Sequence, residues 1–135
     1  MNRDSILRSL RNLVIDMDGV LYRGDEAIAG TRELIDFLRQ QGIGFVLATN
    51  NATRTPQQFV DKLAGMAVQV HSQEVLTSSL ATASYLARIA PPGTEVFVVG
   101  MDGLRTARLP SLRFTDEPTR EAPDGGLSAS CPSSW

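Results

Sequence analysis

The stretch Leu13-Val14-Ile15-Asp16-Met17-Asp18-Gly19-Val20-Leu21 places two carboxylates at the end of an apolar run, followed directly by a glycine. The apolar residues predict a buried β-strand that begins at Leu13. Residues i and i+2 of a strand point to the same side, so we expect Asp16 and Asp18 to face the space beyond its carboxyl end. Ligands bind there in open α/β sheets. Two adjacent carboxylates favour a hard cation such as Mg²⁺, which prefers oxygen ligands.

A second run, Val98-Val99-Gly100-Met101-Asp102-Gly103, repeats the Met-Asp-Gly tripeptide and provides an internal comparison. Asp-Gly is a common turn dipeptide, so an aspartate in this context does not by itself indicate a site. Gly100 stands where the first run has Asp16, and the second run therefore lacks the carboxylate pair. We interpret it as a turn or a helix start.

Length and composition indicate one globular domain. The chain has 135 residues, 42% of them hydrophobic, and a formal net charge of -2. One domain is the default at this length, and the charge gives no basic footprint for nucleic acid. No stretch approaches the roughly 20 apolar residues of a membrane helix, and the charged N-terminus lacks a signal-peptide core. We expect a cytoplasmic protein without nucleic-acid or membrane partners, and the single Cys131 fits a reducing compartment.

The rest of the pattern alternates strands with helices. The predicted strands span residues 13–15, 45–48, 75–76 and 95–99, and the predicted helices span residues 31–40, 56–65 and 80–90. A loop is expected between the first strand and the first helix, which Gly42 should end. This alternation is typical of βαβ units and a mostly parallel sheet.

The helix at 56–65 has the clearest start signal in the chain. Thr55 is a good N-cap, Pro56 fits the first helical position, and Gln58 completes a capping box. Lys62 lies off the apolar stripe of this helix, and we expect it to be a solvated surface residue.

The strand at 45–48 ends in Thr49-Asn50-Asn51, at the sheet edge expected for Asp16. A hydroxyl and adjacent backbone N–H groups suit a phosphate oxygen. Thr55 already caps the next helix, so Thr49 and Asn50 are left without that structural role. Together these groups favour phosphoryl transfer, in which Asp16 attacks phosphorus and Asp18 exchanges protons with the leaving alcohol and with water. Mg²⁺ would offset the charge between carboxylate and phosphate.

Two segments carry a family resemblance. Asp16-Met17-Asp18-Gly19-Val20-Leu21-Tyr22-Arg23-Gly24 resembles motif I of the haloacid dehalogenase-like (HAD) phosphatases. Ala48-Thr49-Asn50-Asn51 with Thr55-Pro56 resembles motif II of their subfamily IIA, which contains phosphoglycolate, pyridoxal phosphate and nitrophenyl phosphatases. Residues 77–83 and 96–100 resemble later segments of that subfamily, and the match spans about Leu13 to Leu104.

The resemblance implies an α/β fold with a Rossmann-like HAD core, a partial parallel sheet with flanking helices. Residues 1–94 would form the N-terminal part of that core, and residues 95–108 the start of an α/β cap that selects the substrate. Residues 109–135 show no clear helical or strand period and contain four of the seven prolines of the chain. We therefore expect an irregular or disordered tail.

The resemblance also assigns roles to residues. Asp16 would be the nucleophile and a Mg²⁺ ligand, and Asp18 the general acid/base, with its backbone carbonyl as a second ligand. Thr49 and Asn50 would bind phosphate, and Asn51 would line the substrate site. The implied partner is a small-molecule phosphate ester.

Two further motifs of the family are missing. The first is a lysine after the cap, and the second is an acidic pair in a Gly-Asp-x-x-x-x-Asp run. Asp116-Glu117 and Asp124 are poor candidates for the acidic pair because they lie in Pro-rich sequence. We hypothesise a truncated or frameshifted coding sequence after Ala107, which translating the downstream nucleotides in all frames would test. We then expect Leu13-Val14-Ile15 to form an unpaired, aggregation-prone edge and the chain to be inactive or nearly so.

Three alternatives compete with a phosphatase. The first is a non-catalytic HAD-like module that binds phosphate without turnover. The second is a nucleotide-binding Rossmann domain, which only Gly42-Ile43-Gly44 supports, and those glycines precede a strand where that fingerprint follows one. The third is a receiver-type phosphoacceptor domain, which the Thr49-Asn50 pair suits less well. The sequence leaves the specific ester and the oligomeric state open.

Overall fold

The computed structural model describes residues 9–107 and 110–115 of the chain. The elements follow in the order β1 (Asn12–Asp16), β2 (Tyr22–Arg23), β3 (Glu26–Ala27), α1 (Thr31–Gln40), β4 (Gly44–Thr49), α2 (Pro56–Gly65), a 3₁₀ turn (Ser72–Glu74), β5 (Val75–Thr77), α3 (Ser78–Ile89), β6 (Thr94–Phe97), α4 (Asp102–Arg105) and β7 (Leu112–Thr115). A parallel sheet has the strand order β1-β4-β5. The predicted α/β class with a parallel sheet and flanking helices is confirmed.

Helix ends follow the local signals of the sequence. α1 runs from Thr31 to Gln40 as predicted, and Gly42 follows it with a φ of 63°, a left-handed conformation that favours glycine. The capping box of α2 is also confirmed. The Gln58 N–H donates to Thr55 Oγ1 at 3.2 Å, and the Thr55 N–H donates to Gln58 Oε1 at 2.8 Å. These bonds satisfy two donors that the first turn of a helix leaves free.

The core lies between one face of the sheet and helices α1 and α2. Leu47 of β4 and Val75 of β5 belong to the same buried cluster as Ile35 of α1 and Phe59 and Leu63 of α2. Each such side chain removed from water contributes about 1.5–3 kcal/mol to folding. β1, β4 and β5 run parallel over this core, so their carboxyl ends and the polar residues after them lie at one edge of the sheet.

The opposite face of the sheet is much more open. Val14, at the centre of β1, is 77% exposed, and Leu76 of β5 is 37% exposed. Within residues 9–107 and 110–115, β1 pairs with β4 alone, so it is an edge strand of this sheet, as we expected.

The structure differs from the sequence expectation in two places. The expected loop after β1 contains a hairpin, in which β2 and β3 pair antiparallel. In addition, β7 pairs parallel with β6 in a separate two-stranded sheet, although we expected no regular element after residue 109. Residues 1–8, 108–109 and 116–135 lie outside the described residues. None of the helices in the described ranges is long and apolar enough to cross a membrane.

Candidate active site

The carboxyl ends of β1 and β4 bring Asp16, Thr49 and Asn50 to one edge of the sheet. Asp16 is the last residue of β1 and lies in register with Ala48 of β4. Its side chain is exposed and borders an open pocket of about 280 Å³, which Thr49, Asn50 and Ser78 also line. Parallel strands end at a common edge, which explains why residues so far apart in sequence line one pocket.

Asp18 lies two residues beyond the end of β1 and contacts Thr49. Met17, between the two aspartates, is fully buried, whereas Asp16 and Asp18 are both exposed. Thr49 Oγ1 donates to Asp18 Oδ2 at 3.4 Å, and the Thr49 residue is only 5% exposed. The alternation that we predicted from the sequence is therefore present, and the fold places a buried hydroxyl against the second carboxylate.

Asn51 shapes the loop that follows β4. Its N–H donates to Thr49 Oγ1 at 3.1 Å, and its Oδ1 accepts from the Thr53 N–H at 2.9 Å and from Thr53 Oγ1 at 2.6 Å. Short polar side chains commonly stabilise turns through such bonds to nearby backbone. The side-chain oxygen of Asn51 is therefore directed to Thr53, while Asn50 is exposed beside the pocket.

Two serines to which sequence reasoning gave no role hold the same loop from α3. Ser78 Oγ donates to the Asn50 carbonyl at 3.0 Å, and Ser79 Oγ donates to the Ala52 carbonyl at 3.3 Å. Ser79 is 2% exposed. The signal in the sequence was the pair of hydroxyl residues directly after β5, at the edge where the site forms.

Lys62 is not the solvated surface residue that we expected from the sequence. Its side chain is only 16% exposed, and its Nζ lies 4.1 Å from the centroid of the Tyr22 ring and 3.5 Å from Asp25 Oδ1. It is therefore not a solvated surface lysine. The reason is that the hairpin, which we did not predict, carries Asp25 and Tyr22 next to α2. An ammonium over an aromatic face is attracted by the ring quadrupole.

Tyr22 is buried beside Asp18. Its hydroxyl makes no hydrogen bond of acceptable geometry within the described part of the chain, although the Asp18 carboxylate is near enough to act on it. Burial first, and then the negative charge of Asp18, raises the pKa of Tyr22 to about 12. The phenol therefore stays protonated next to the candidate site at all ordinary pH values.

The donors at this edge fit part of a Mg²⁺ shell. Asp16 offers exposed carboxylate oxygens and Asp18 its backbone carbonyl, and the Thr49 hydroxyl lies beside the Asp18 carboxylate. Mg²⁺ keeps several waters and binds one or two carboxylates together with substrate phosphates. Across residues 9–107 and 110–115 there is no group of three or more His, Cys, Asp or Glu side chains that could hold a metal. Asp116-Glu117 and Asp124 lie outside the described residues.

Comparisons with known proteins agree with this architecture. A family model described as a haloacid dehalogenase-like hydrolase matches residues 13–108. An acid sugar phosphatase of Staphylococcus aureus is 40% identical over 101 residues, which is 75% of this chain and 39% of the relative. The chain thus spans 39% of the length of that curated relative.

Two solved structures are similar as well. A hypothetical protein of Pyrococcus horikoshii has a TM-score of 0.69 at 46% identity, covering 73% of this chain and 37% of its own. A glycerol phosphate phosphatase of Mycobacterium tuberculosis, solved in complex with magnesium, has a TM-score of 0.70 at 26% identity. The match covers 82% of this chain and 33% of that phosphatase.

Proposed function

The chain belongs to the haloacid dehalogenase-like hydrolases, and we propose that its site is built for Mg²⁺-dependent hydrolysis of small phosphate monoesters. The observation that carries the proposal is the contact between Thr49 Oγ1 and Asp18 Oδ2 at 3.4 Å, on the sheet edge where Asp16 is exposed. The phosphatase relatives and the magnesium complex named above support the reaction class and the metal.

The reaction would proceed in two displacements. In the first, a carboxylate oxygen of Asp16 bonds to phosphorus as the ester P–O bond breaks, and Asp18 gives a proton to the leaving alcohol. In the second, water attacks the aspartyl-phosphate and Asp18 takes its proton. The bond between phosphorus and Asp16 then breaks, and inorganic phosphate leaves. Bound Mg²⁺ would supply charge neutralisation between the carboxylates and the phosphate.

The residues after β4 would bind the phosphoryl group. Thr49 has its hydroxyl at the site, and Asn50 borders the pocket with an exposed side chain. Asn51 would line the substrate site chiefly through the shape it gives the loop, since Thr53 occupies its side-chain oxygen. The Thr49 hydroxyl has one proton, which it donates to Asp18 in this structure, so phosphate binding would require that proton to turn to a phosphoryl oxygen.

A non-catalytic phosphate-binding module is the second candidate. The observation that favours it is the position of Lys62, the single lysine of the sequence, which is engaged by Tyr22 and Asp25. The family uses a lysine to offset charge on the phosphorylated aspartate. This second candidate therefore predicts phosphate binding without hydrolysis, because Lys62 is held by Tyr22 and Asp25.

Calorimetry with inorganic phosphate, with and without Mg²⁺, tests the site. We expect Mg²⁺-dependent binding that the Thr49→Val variant weakens by about tenfold, or ~1.4 kcal/mol, because a phosphate hydrogen bond is lost. Thr94→Val is the matched control, since the Thr94 hydroxyl only donates to the Pro91 carbonyl. Absence of phosphate binding by the unaltered chain would overturn the proposal. Hydrolysis of 4-nitrophenyl phosphate then separates the enzyme from the binding module.

A further inference from the structure

The second Met-Asp-Gly segment touches the loop of the candidate site. Gly103, in the first turn of α4, is buried, and its N–H donates to the Thr53 carbonyl at 3.2 Å. A Cβ placed on Gly103 would overlap the Ala52 carbonyl oxygen and would lie 2.6 Å from the Arg54 carbonyl oxygen. Both obstacles are backbone atoms, so the neighbours have no side chain that could rotate away. Only glycine lets α4 rest directly on this loop.

Residues 50–54, hereafter the site loop, are therefore held in three ways. Asn51 and Thr53 bond to each other within the loop. Ser78 and Ser79 donate to its carbonyls from α3. Gly103 closes on it from α4. These contacts restrain the backbone of the site loop, and we expect it to open less readily than a loop without them.

We propose that α4 is a clamp that holds the site loop in its phosphate-binding conformation, with Gly103 as a positioning residue. α4 lies between β6 and β7 in the chain, so a displacement of the two-stranded sheet would move α4 and the site loop together. This inference rests on the proposed function only in taking phosphate as the ligand.

Amide hydrogen exchange tests the clamp without reference to phosphate. In Gly103→Ala, we expect the Asn51 and Thr53 amides to exchange at least about tenfold faster, because the helix must withdraw from the loop, while β1 and β4 stay protected. Gly65→Ala is the matched control, since a Cβ at Gly65 meets nothing within 4 Å. Unchanged exchange of the site loop in Gly103→Ala would contradict the clamp. Global loss of protection, with the sheet as fast as the loop, would also contradict it.

Phosphate affinity provides the second measurement. With Mg²⁺ present, Gly103→Ala should weaken the binding of inorganic phosphate by about tenfold or more, because small misplacements of binding groups are costly. Gly65→Ala should bind like the unaltered chain. If the unaltered chain does not bind phosphate, the proposed function fails, and the exchange result still decides the clamp. If exchange rises but affinity does not change, the loop is clamped yet does not position the ligand, and the inference is overturned.

Discussion

The two Met-Asp-Gly segments are identical in sequence and opposite in structure. Met17 is fully buried at the end of a strand, whereas Met101 is 64% exposed before a helix. Asp18 accepts a hydrogen bond from Thr49 through its side chain. Asp102 instead accepts through its backbone carbonyl, from the N–H and the Oγ1 of Thr106.

The difference shows that the surrounding chain decides what the tripeptide does. β1 precedes the first segment and lies in the three-stranded sheet over the core, whereas β6 precedes the second and pairs only with β7 within the described ranges. Both segments nevertheless contact the chain around the end of β4: Asp18 accepts from Thr49, the last residue of that strand, and Gly103 donates to Thr53 in the site loop. The first segment places a carboxylate at the candidate site, and the second packs against the loop beside it.

The largest expected effect separates the chemistry of the two segments. Asp16→Asn should abolish Mg²⁺-dependent binding of beryllofluoride, which mimics a phosphoryl group on a carboxylate, because the acceptor oxygen is lost. Asp102→Asn is the control and should bind like the unaltered chain. Fluorine NMR would report both. Equal binding of beryllofluoride by the two variants would contradict the claim that only the first segment carries the acceptor carboxylate.

The buried and exposed methionines should differ in their contribution to stability. Met17→Ala removes a side chain from the core and should lower the free energy of unfolding by about 2–5 kcal/mol. Met101→Ala should change it by less than about 0.5 kcal/mol, as is usual at exposed positions. Urea denaturation followed by circular dichroism measures both. A loss in Met101→Ala as large as that in Met17→Ala would show that α4 is part of the core.

The glycines should respond to alanine for different reasons. Gly19 has a φ of 81°, and a Cβ added there would meet nothing within 4 Å, so Gly19→Ala encounters backbone strain alone. We expect a loss of about 1 kcal/mol in the free energy of unfolding, spread over the whole cooperative transition. Gly103→Ala should act locally instead, through its clash with the site loop. Equal and purely global effects of the two variants, read by hydrogen exchange, would contradict this contrast.

The smallest effect is the titration of Tyr22. Because its pKa is raised from 10.0 to about 12, the unfolded chain loses this proton at lower pH than the folded chain. The contribution of Tyr22 to the free energy of unfolding is therefore fully present below pH 10, and it is lost as the pH rises towards 12. Asp18→Asn should lower the pKa of Tyr22, and Asp102→Asn should not, as absorbance of the tyrosinate would show. Tyr85→Phe, which removes the 61% exposed tyrosine, isolates the signal.

Sequence reasoning succeeded where the signal is local. The bounds of α1 and the capping box of α2 depend on residues within a few positions of each other. The convergence of Asp16, Asp18 and Thr49 followed from strand alternation and the common edge of parallel strands.

Prediction from the sequence failed where contacts between distant parts of the chain determine the structure. The hairpin of β2 and β3 consists of two-residue strands, too short to give a period, and it places Asp25 and Tyr22 around Lys62. β7 exists through its pairing with β6. The contact of Gly103 with the site loop could not be inferred, because no local pattern tells which backbone a glycine will approach.

Asp16 is the proposed acceptor of the phosphoryl group, and trapping that group on the protein decides whether it is. The full chain would be incubated with Mg²⁺ and a small acyl phosphate, quenched in acid, digested and analysed by mass spectrometry. We expect phosphate on the peptide that contains Asp16, released by hydroxylamine and absent in Asp16→Asn. Phosphate found only elsewhere, such as on Asp102 or Ser78, or on no peptide at all, would refute Asp16 as the acceptor.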